Sequence, residues 1–385
     1  MVQVKKSGLA IAVLAVAAFV IVTTEYLIVG LLPALARDFK VSIDVMGWLV
    51  TLFAFTVMLF GPVLTALLAH IERRRLFVFI LLVFAGANAL AAVANELWVL
   101  ALARFVPALL LPVFWGTASE TAAQMVGPEQ SGRAVARVYL GISAALLLGI
   151  PLGTLWASAW GWRSAFWLLS GLSFLMAMAL YGWMPRVNMP LRQSLRGQIA
   201  QLWQAEFGWQ VLTSVWVFTA MFTAYTYLAD ILERLAEVPA NQVGWWLMGF
   251  GAVGLIGNGL GGRWVSRQPL AATAGFSLLL GLAMLLTSWW MEQGLGLVVG
   301  LALWGIAYTA LFPVCQVRVM QAARGAQALA GTLNVAAANA GTGLGALLGG
   351  WVIQTYGLTM VAPVAAVLAV LTLAFVPLLR RQGSA

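Results

Sequence analysis

Charge is what this sequence has least of. Of its 385 residues only 9% are charged and 63% are hydrophobic, whereas soluble domains carry about 25% charged residues. Too few polar side chains are present to cover a water-soluble globule, so soluble folds are excluded. Histidine and cysteine occur once each, as His70 and Cys315. A single cysteine rules out an intramolecular disulfide, and the pair cannot build a His/Cys metal cluster. No Gly-x4-Gly-Lys-Ser/Thr loop exists to support ATP drive by this chain. No Gly-x-Ser-x-Gly elbow comes with a usable histidine. No catalytic residue, metal or cofactor is therefore expected.

Long apolar runs are what the sequence has in abundance. A helix needs roughly 20 apolar residues to cross a bilayer. Twelve runs qualify, at about 7–32, 45–69, 76–94, 97–125, 134–158, 163–184, 209–231, 243–265, 270–291, 294–316, 326–354 and 358–379. The expected fold is all-α, with twelve transmembrane helices in two pseudo-symmetric six-helix bundles. Ala15-Val16-Ala17 mimics a signal-peptidase site, but the apolar run continues to Leu32, so an uncleaved helix is expected.

The net charge of +9 would suit nucleic acid, but its distribution does not. With the N-terminus inside, sixteen Lys and Arg fall inside (Lys5, Lys6, Arg73, Arg74, Arg75, Arg133, Arg137, Arg186, Arg192, Arg196, Arg263, Arg267, Arg318, Arg324, Arg380 and Arg381). Four fall outside (Arg37, Lys40, Arg163 and Arg234), and Arg104 lies within the membrane. This positive-inside bias makes the basic charge topological. Both termini are expected in the cytoplasm.

Residues 185–207 interrupt the helices with two prolines and three arginines, dividing a bundle at 1–184 from one at 208–385. Leu195, Ile199, Leu202 and Trp203 fall at helical spacing there, which suits an amphipathic surface helix. The halves resemble each other. "MGWLVTLFAFTVMLFG" from Met46 matches "VGWWLMGFGAVGLIGN" from Val243, and "GIPLGTLW" from Gly149 matches "GTGLGALL" from Gly341. The offsets, 197 and 192 residues, are close enough to indicate duplication of a six-helix unit. Repeats of this kind place a substrate site near the membrane midplane.

Glu25 is the only charge in the first apolar run. An acid at the centre of a membrane helix costs about 2.5–3.5 kcal/mol on insertion scales, so its retention needs a reason. Helix one runs outward, placing Glu25 in its outer half. Helix four enters from outside near Leu97, placing Arg104 about 10 Å deep at about 1.5 Å per residue. The two charges share a leaflet, and an interaction, direct or through water, is the economical arrangement for both. Aromatic stripes recur: Arg104 with Trp115 on helix four, Phe218, Phe222 and Tyr225 on helix seven, and Trp304 and Tyr308 on helix ten, with Asn334 and Asn339 on helix eleven. Such stripes line cavities for flat or amphipathic solutes; they also serve as packing, and many of the 18 Trp residues suit an interfacial belt.

The loop "TALLAHIERRRLF" (Thr65–Phe77) resembles that of the major facilitator superfamily, whose signature there is Gly-x-x-x-Asp-(Arg/Lys)-x-Gly-(Arg/Lys)-(Arg/Lys). Its basic end is present as Arg74 and Arg75, while His70 stands at the aspartate position. "GISAALLLGIPLG", with Gly149, Pro151 and Gly153, is similar to the antiporter motif of the drug:proton antiporter branch. "TTEYLIVGLLPALARDFKVS", "GWRSAFW" and "GLIGNGLGGR" add to a resemblance to bacterial sugar-efflux and drug-resistance transporters. The His-Gly pair usual after the helix-four arginine is replaced by Leu111 and Pro112.

The resemblance implies an inner-membrane, multi-pass secondary transporter working by alternating access, not an enzyme. It implies efflux of a sugar, drug or metabolite in exchange for protons. Glu25 and Arg104 would couple protons. Trp115, Phe222, Tyr225, Trp304, Tyr308 and Asn334 would line the substrate cavity, and Arg74, Arg75, Gly149, Pro151 and Gly153 would serve the conformational cycle. Burial and the arginine pull the protonation of Glu25 in opposite directions, so access of solvent or substrate can tip it. The expected partners are a small-molecule substrate, protons and the lipid bilayer; no nucleic acid is expected, and the chain is expected to act as a monomer. A proton-coupled importer and an uncoupled facilitator share these features, and a membrane-embedded enzyme would need more polar residues at membrane depth.

Overall fold

The computed structural model describes residues 2–68, 71–126, 131–185, 205–265, 267–291, 294–322 and 327–382. Among these no strand occurs, and twelve helices are long and apolar enough to cross a membrane. They are α1 (Val2–Phe39), α2 (Ile43–Leu68), α3 (Arg73–Ala92), α4 (Leu97–Gln124), a composite α5, α6 (Trp162–Trp183), a two-part α7 (Ala205–Tyr225 and Leu228–Arg234), α8 (Ala240–Val265), α9 (Pro269–Trp289), α10 (Gly294–Ala322), α11 (Gln327–Tyr356) and α12. α5 runs as an α-helix over Ser131–Ala144, makes a π-helical turn at Ala145–Gly149 and resumes at Ile150–Trp160; α12 opens with a 3₁₀ turn, Leu358–Met360, ahead of Val361–Leu371. The amphipathic helix expected at Leu195–Trp203 lies outside the described residues, as does His70.

Two boundaries differ instructively from expectation. α1 continues through Pro33 to Phe39, seven residues past Leu32, because a proline in a membrane helix frees few backbone groups and neighbouring helices shelter them. Lys40, at φ 54, stops it in the left-handed region, which L-residues enter as single residues and not as helix. In α5 a π turn precedes Pro151, and in it the Ile150 N–H reaches back to the Ala145 carbonyl.

The chain packs as two compact units. Met1–Lys40, Leu59–Leu191 and Ala240–Trp245 form unit 1; Val41–Met58, Arg192–Pro239 and Trp246–Ala385 form unit 2. Lipid tails are as apolar as leucine, so close packing and hydrogen bonds, rather than the hydrophobic effect, hold membrane helices together. Glycine supplies the close approach. In unit 1, a Cβ at Gly141 would overlap the Ala15 carbonyl, one at Gly149 the Thr23 hydroxyl, and one at Gly153 the Leu27 side chain. In unit 2, Gly341, Gly345 and Gly349 on α11 press in the same way on Val215–Tyr227 of α7. The two segments that the sequence pairs, in α5 and α11, thus seat against α1 and α7 respectively.

Candidate functional site

The most unusual polar cluster is in unit 1, where α1, α3 and α4 meet. Arg104 is 2% exposed. Its Nη1 donates to the Thr24 carbonyl at 2.6 Å and its Nη2 to the Glu25 carbonyl at 2.7 Å. Both carbonyls belong to a helix, but a carbonyl oxygen has two lone pairs and can accept again. The guanidinium fork is therefore fixed on the main chain of α1, beside Glu25, and the two charges act on each other electrostatically. Glu25 itself is half-buried. Asn88 of α3 donates from Nδ2 to the Thr24 hydroxyl at 3.1 Å, tying a third helix to the same turn. The adjacent Thr23 hydroxyl is buried and lacks a hydrogen-bond partner among the described residues.

Chemically this is an acid with partial access, held next to a cation that cannot retreat. The sequence points to both charges and to their shared depth. It does not reveal that the arginine grips backbone, nor that Asn88 belongs to the cluster. The available signal for Asn88 is its isolation as an amide in the apolar run "FAGANALAA".

Unit 2 contains an aromatic cluster. Tyr225 stacks on Tyr308 with centroids 4.4 Å apart, and Phe222 packs on both, at 5.7 and 5.8 Å. Phe250 of α8, which lies on none of the aromatic stripes of the sequence, joins Tyr225, Tyr308 and Trp304 at 5.6, 5.7 and 6.0 Å. Trp304, Phe222, Tyr225 and Tyr308 are all buried. Asn334 stands apart, donating to Gln316 Oε1 at 2.7 Å and leaving its Oδ1 buried without a partner among the described residues. Trp115 is in unit 1, half-buried against Phe114. Arg318 of α10, 2% exposed, rests between neutral groups, Gln210 at 2.5 Å and Ser214 at 2.9 Å.

A profile of the Major Facilitator Superfamily matches residues 14–324. The chain belongs to the major facilitator superfamily. Inner membrane transport protein YdhP of Escherichia coli (strain K12) is 34% identical over 94% of each chain. A probable sugar efflux transporter of Helicobacter acinonychis (strain Sheeba) is 29% identical over 94% of this chain and 92% of that one. A solved bacterial homologue of the human lysosomal transporter Spinster, in an inward-facing, unoccupied conformation, superposes with a TM-score of 0.82 at 15% identity, over 98% of this chain and 97% of that one. The protein is accordingly a transporter of the facilitator fold.

In the loop that resembles the facilitator signature, Glu72, Arg74 and Arg73 each have their own partner. Glu72 caps α3, accepting from the Arg74 and Arg75 amides at 3.0 Å each. Arg74 lies over the Tyr181 ring at 4.4 Å, and Arg75 is exposed. The neighbouring Arg73 is the buried cation, 1% exposed, and it pairs with Glu120 of α4 at 2.6 Å. The loop thereby ties α3 to α4 and α6.

Proposed function

We propose that this facilitator is an inner-membrane efflux carrier, with both termini cytoplasmic, that exchanges a small organic solute for protons by alternating access. The observation that carries the reading is a half-buried Glu25 beside an Arg104 fixed on the main chain of the same turn. Glu25 takes up and releases the proton, and Arg104 supplies the charge against which protonation is balanced. The efflux direction rests on the likeness to the probable sugar efflux transporter of Helicobacter acinonychis and on the glycine–proline pattern of α5. Solute contact is assigned to Phe222, Tyr225, Trp304, Tyr308 and Asn334 in unit 2 and to Trp115 in unit 1. Arg74, Arg75, Gly149, Pro151 and Gly153 serve the conformational change.

The test uses the full chain in proteoliposomes. A thermal-shift screen of sugars, nucleosides and amphenicols selects a solute, because binding to the folded state raises apparent stability. Wild type should then move that solute against its gradient when a pH gradient is imposed. Glu25→Gln and Arg104→Ala should lose that dependence, and proton-driven export of wild-type size in both variants would refute the assignment.

A further inference from the structure

A separate cavity lies wholly inside unit 2, where the first turns of α2 meet the last turns of α11. It holds about 280 Å³, near the lower limit of roughly 300 Å³ for small-ligand sites. Asp44, 6% exposed, forms one wall. Its Oδ2 accepts from Gln354 Nε2 at 2.5 Å, and no ion pair neutralises it among the described residues. The nearby Tyr227 hydroxyl is already committed to the Ala346 carbonyl at 2.7 Å. Gly350 keeps the space open, since a Cβ there would sit 2.9 Å from the Tyr227 hydroxyl oxygen and 3.4 Å from Asp44 Cβ.

The remaining walls are tryptophan. Trp48 and Trp351 line the cavity and stay 58% and 52% exposed, so their rings are available to a ligand. Tyr356 braces Trp351 edge-on, with centroids 5.7 Å apart at 83°. The amide dipoles of the first turn of α2 offset part of the Asp44 charge, but a buried carboxylate served only by a neutral donor is still short of a counter-charge. Aromatic faces beside an acid attract a cation that is itself poorly hydrated, which is the chemistry of an organic ammonium. A neutral polyol would stack on the rings and leave the charge uncompensated.

We propose that this cavity is a binding site for an organic ammonium group, presented either by a phospholipid headgroup or by a soluble amine. Its place at helix ends, with two tryptophans, puts it where headgroups and aromatic belts meet. The site shares no residue with the Glu25–Arg104 cluster.

Two measurements on the purified full-length protein test it. In detergent, calorimetric titration with tetramethylammonium should detect binding to wild type. Asp44→Asn, which keeps the Gln354 hydrogen bond, and Trp48→Leu, at an exposed position, should each weaken it by about tenfold or more. In nanodiscs of equal phosphatidylethanolamine and phosphatidylglycerol, native mass spectrometry should show ethanolamine lipid retained by wild type and lost from Asp44→Asn if the source is the headgroup. Tetramethylammonium binding without lipid retention assigns the site to soluble amines. Equal binding by wild type and Asp44→Asn, glucose binding in place of tetramethylammonium, or absence of both tetramethylammonium binding and lipid retention overturns the proposal.

Discussion

Arg104 spends both terminal nitrogens on main-chain carbonyls, a task that needs a planar fork and not only a positive charge. Arg104→Lys should therefore behave like Arg104→Ala in proton-driven transport; export of wild-type size by the lysine variant would show that charge alone suffices. Asn88 adds one intramembrane hydrogen bond to the same turn, and such bonds are worth about 0.6 kcal/mol on average and at most about 1.7. Asn88→Leu should lower stability by no more than that, read as a small drop in the thermal midpoint in detergent. The charges were legible in the sequence because each stands alone in an apolar run. Their mode of contact was not, because a carbonyl oxygen carries no residue identity. The same limit hid the burial of Arg73, one of three consecutive arginines whose sequence gives no reason to single it out.

Helices meet here through positions where a side chain is missing. Gly149→Ala would drive a methyl into the Thr23 hydroxyl, and overpacking of this kind costs about 1–3 kcal/mol. Gly86→Ala on α3, with nothing within 4 Å of the added carbon, is the matched control and should be close to neutral in the same thermal assay. Glu120→Ala on α4 would remove the acid with which Arg73, at the start of α3, pairs, and a hydrogen bond to a charged group is worth about 1.5–3 kcal/mol. Glu120→Gln should recover part of this by keeping an acceptor. Spans were legible at this scale, since an apolar run of membrane length has few other uses. Their fine structure was not: α1 overran its proline, and the π turn of α5 has no signature beyond the glycine and proline that follow it.

For the whole molecule, the distribution of basic residues predicts the orientation. An alkaline phosphatase fused after Ala385 should be inactive and a fluorescent protein there should glow in intact cells; the reverse pair of results would invert the assigned topology. The repeat is visible at both scales. Segments 192 residues apart seat α5 on α1 and α11 on α7 with glycine as the meeting surface. α2 and α8, the other pair read from the sequence, are the two membrane helices that each contribute residues to both units. That partition was not legible, since the apolar patterns of α2 and α8 run on without a break where the units divide.

The π turn at Ala145–Gly149 amounts to a single-residue insertion in an otherwise α-helical rod. The wider turn absorbs the rotation of about 100° that one more α-helical residue would add. Removing one residue from it would restore a regular helix and leave everything downstream facing as it does now. Gly153 would stay on Leu27 of α1, and the Pro151 carbonyl and Leu155 would stay on Gly244 of α8. Gene copies that lose one codon within 145–149 should thus keep folding and transport, whereas copies that lose two adjacent codons there, the second with no bulge to absorb it, should turn Gly153 and Leu155 off their partners and lose both. This helix carries one residue more than its register needs.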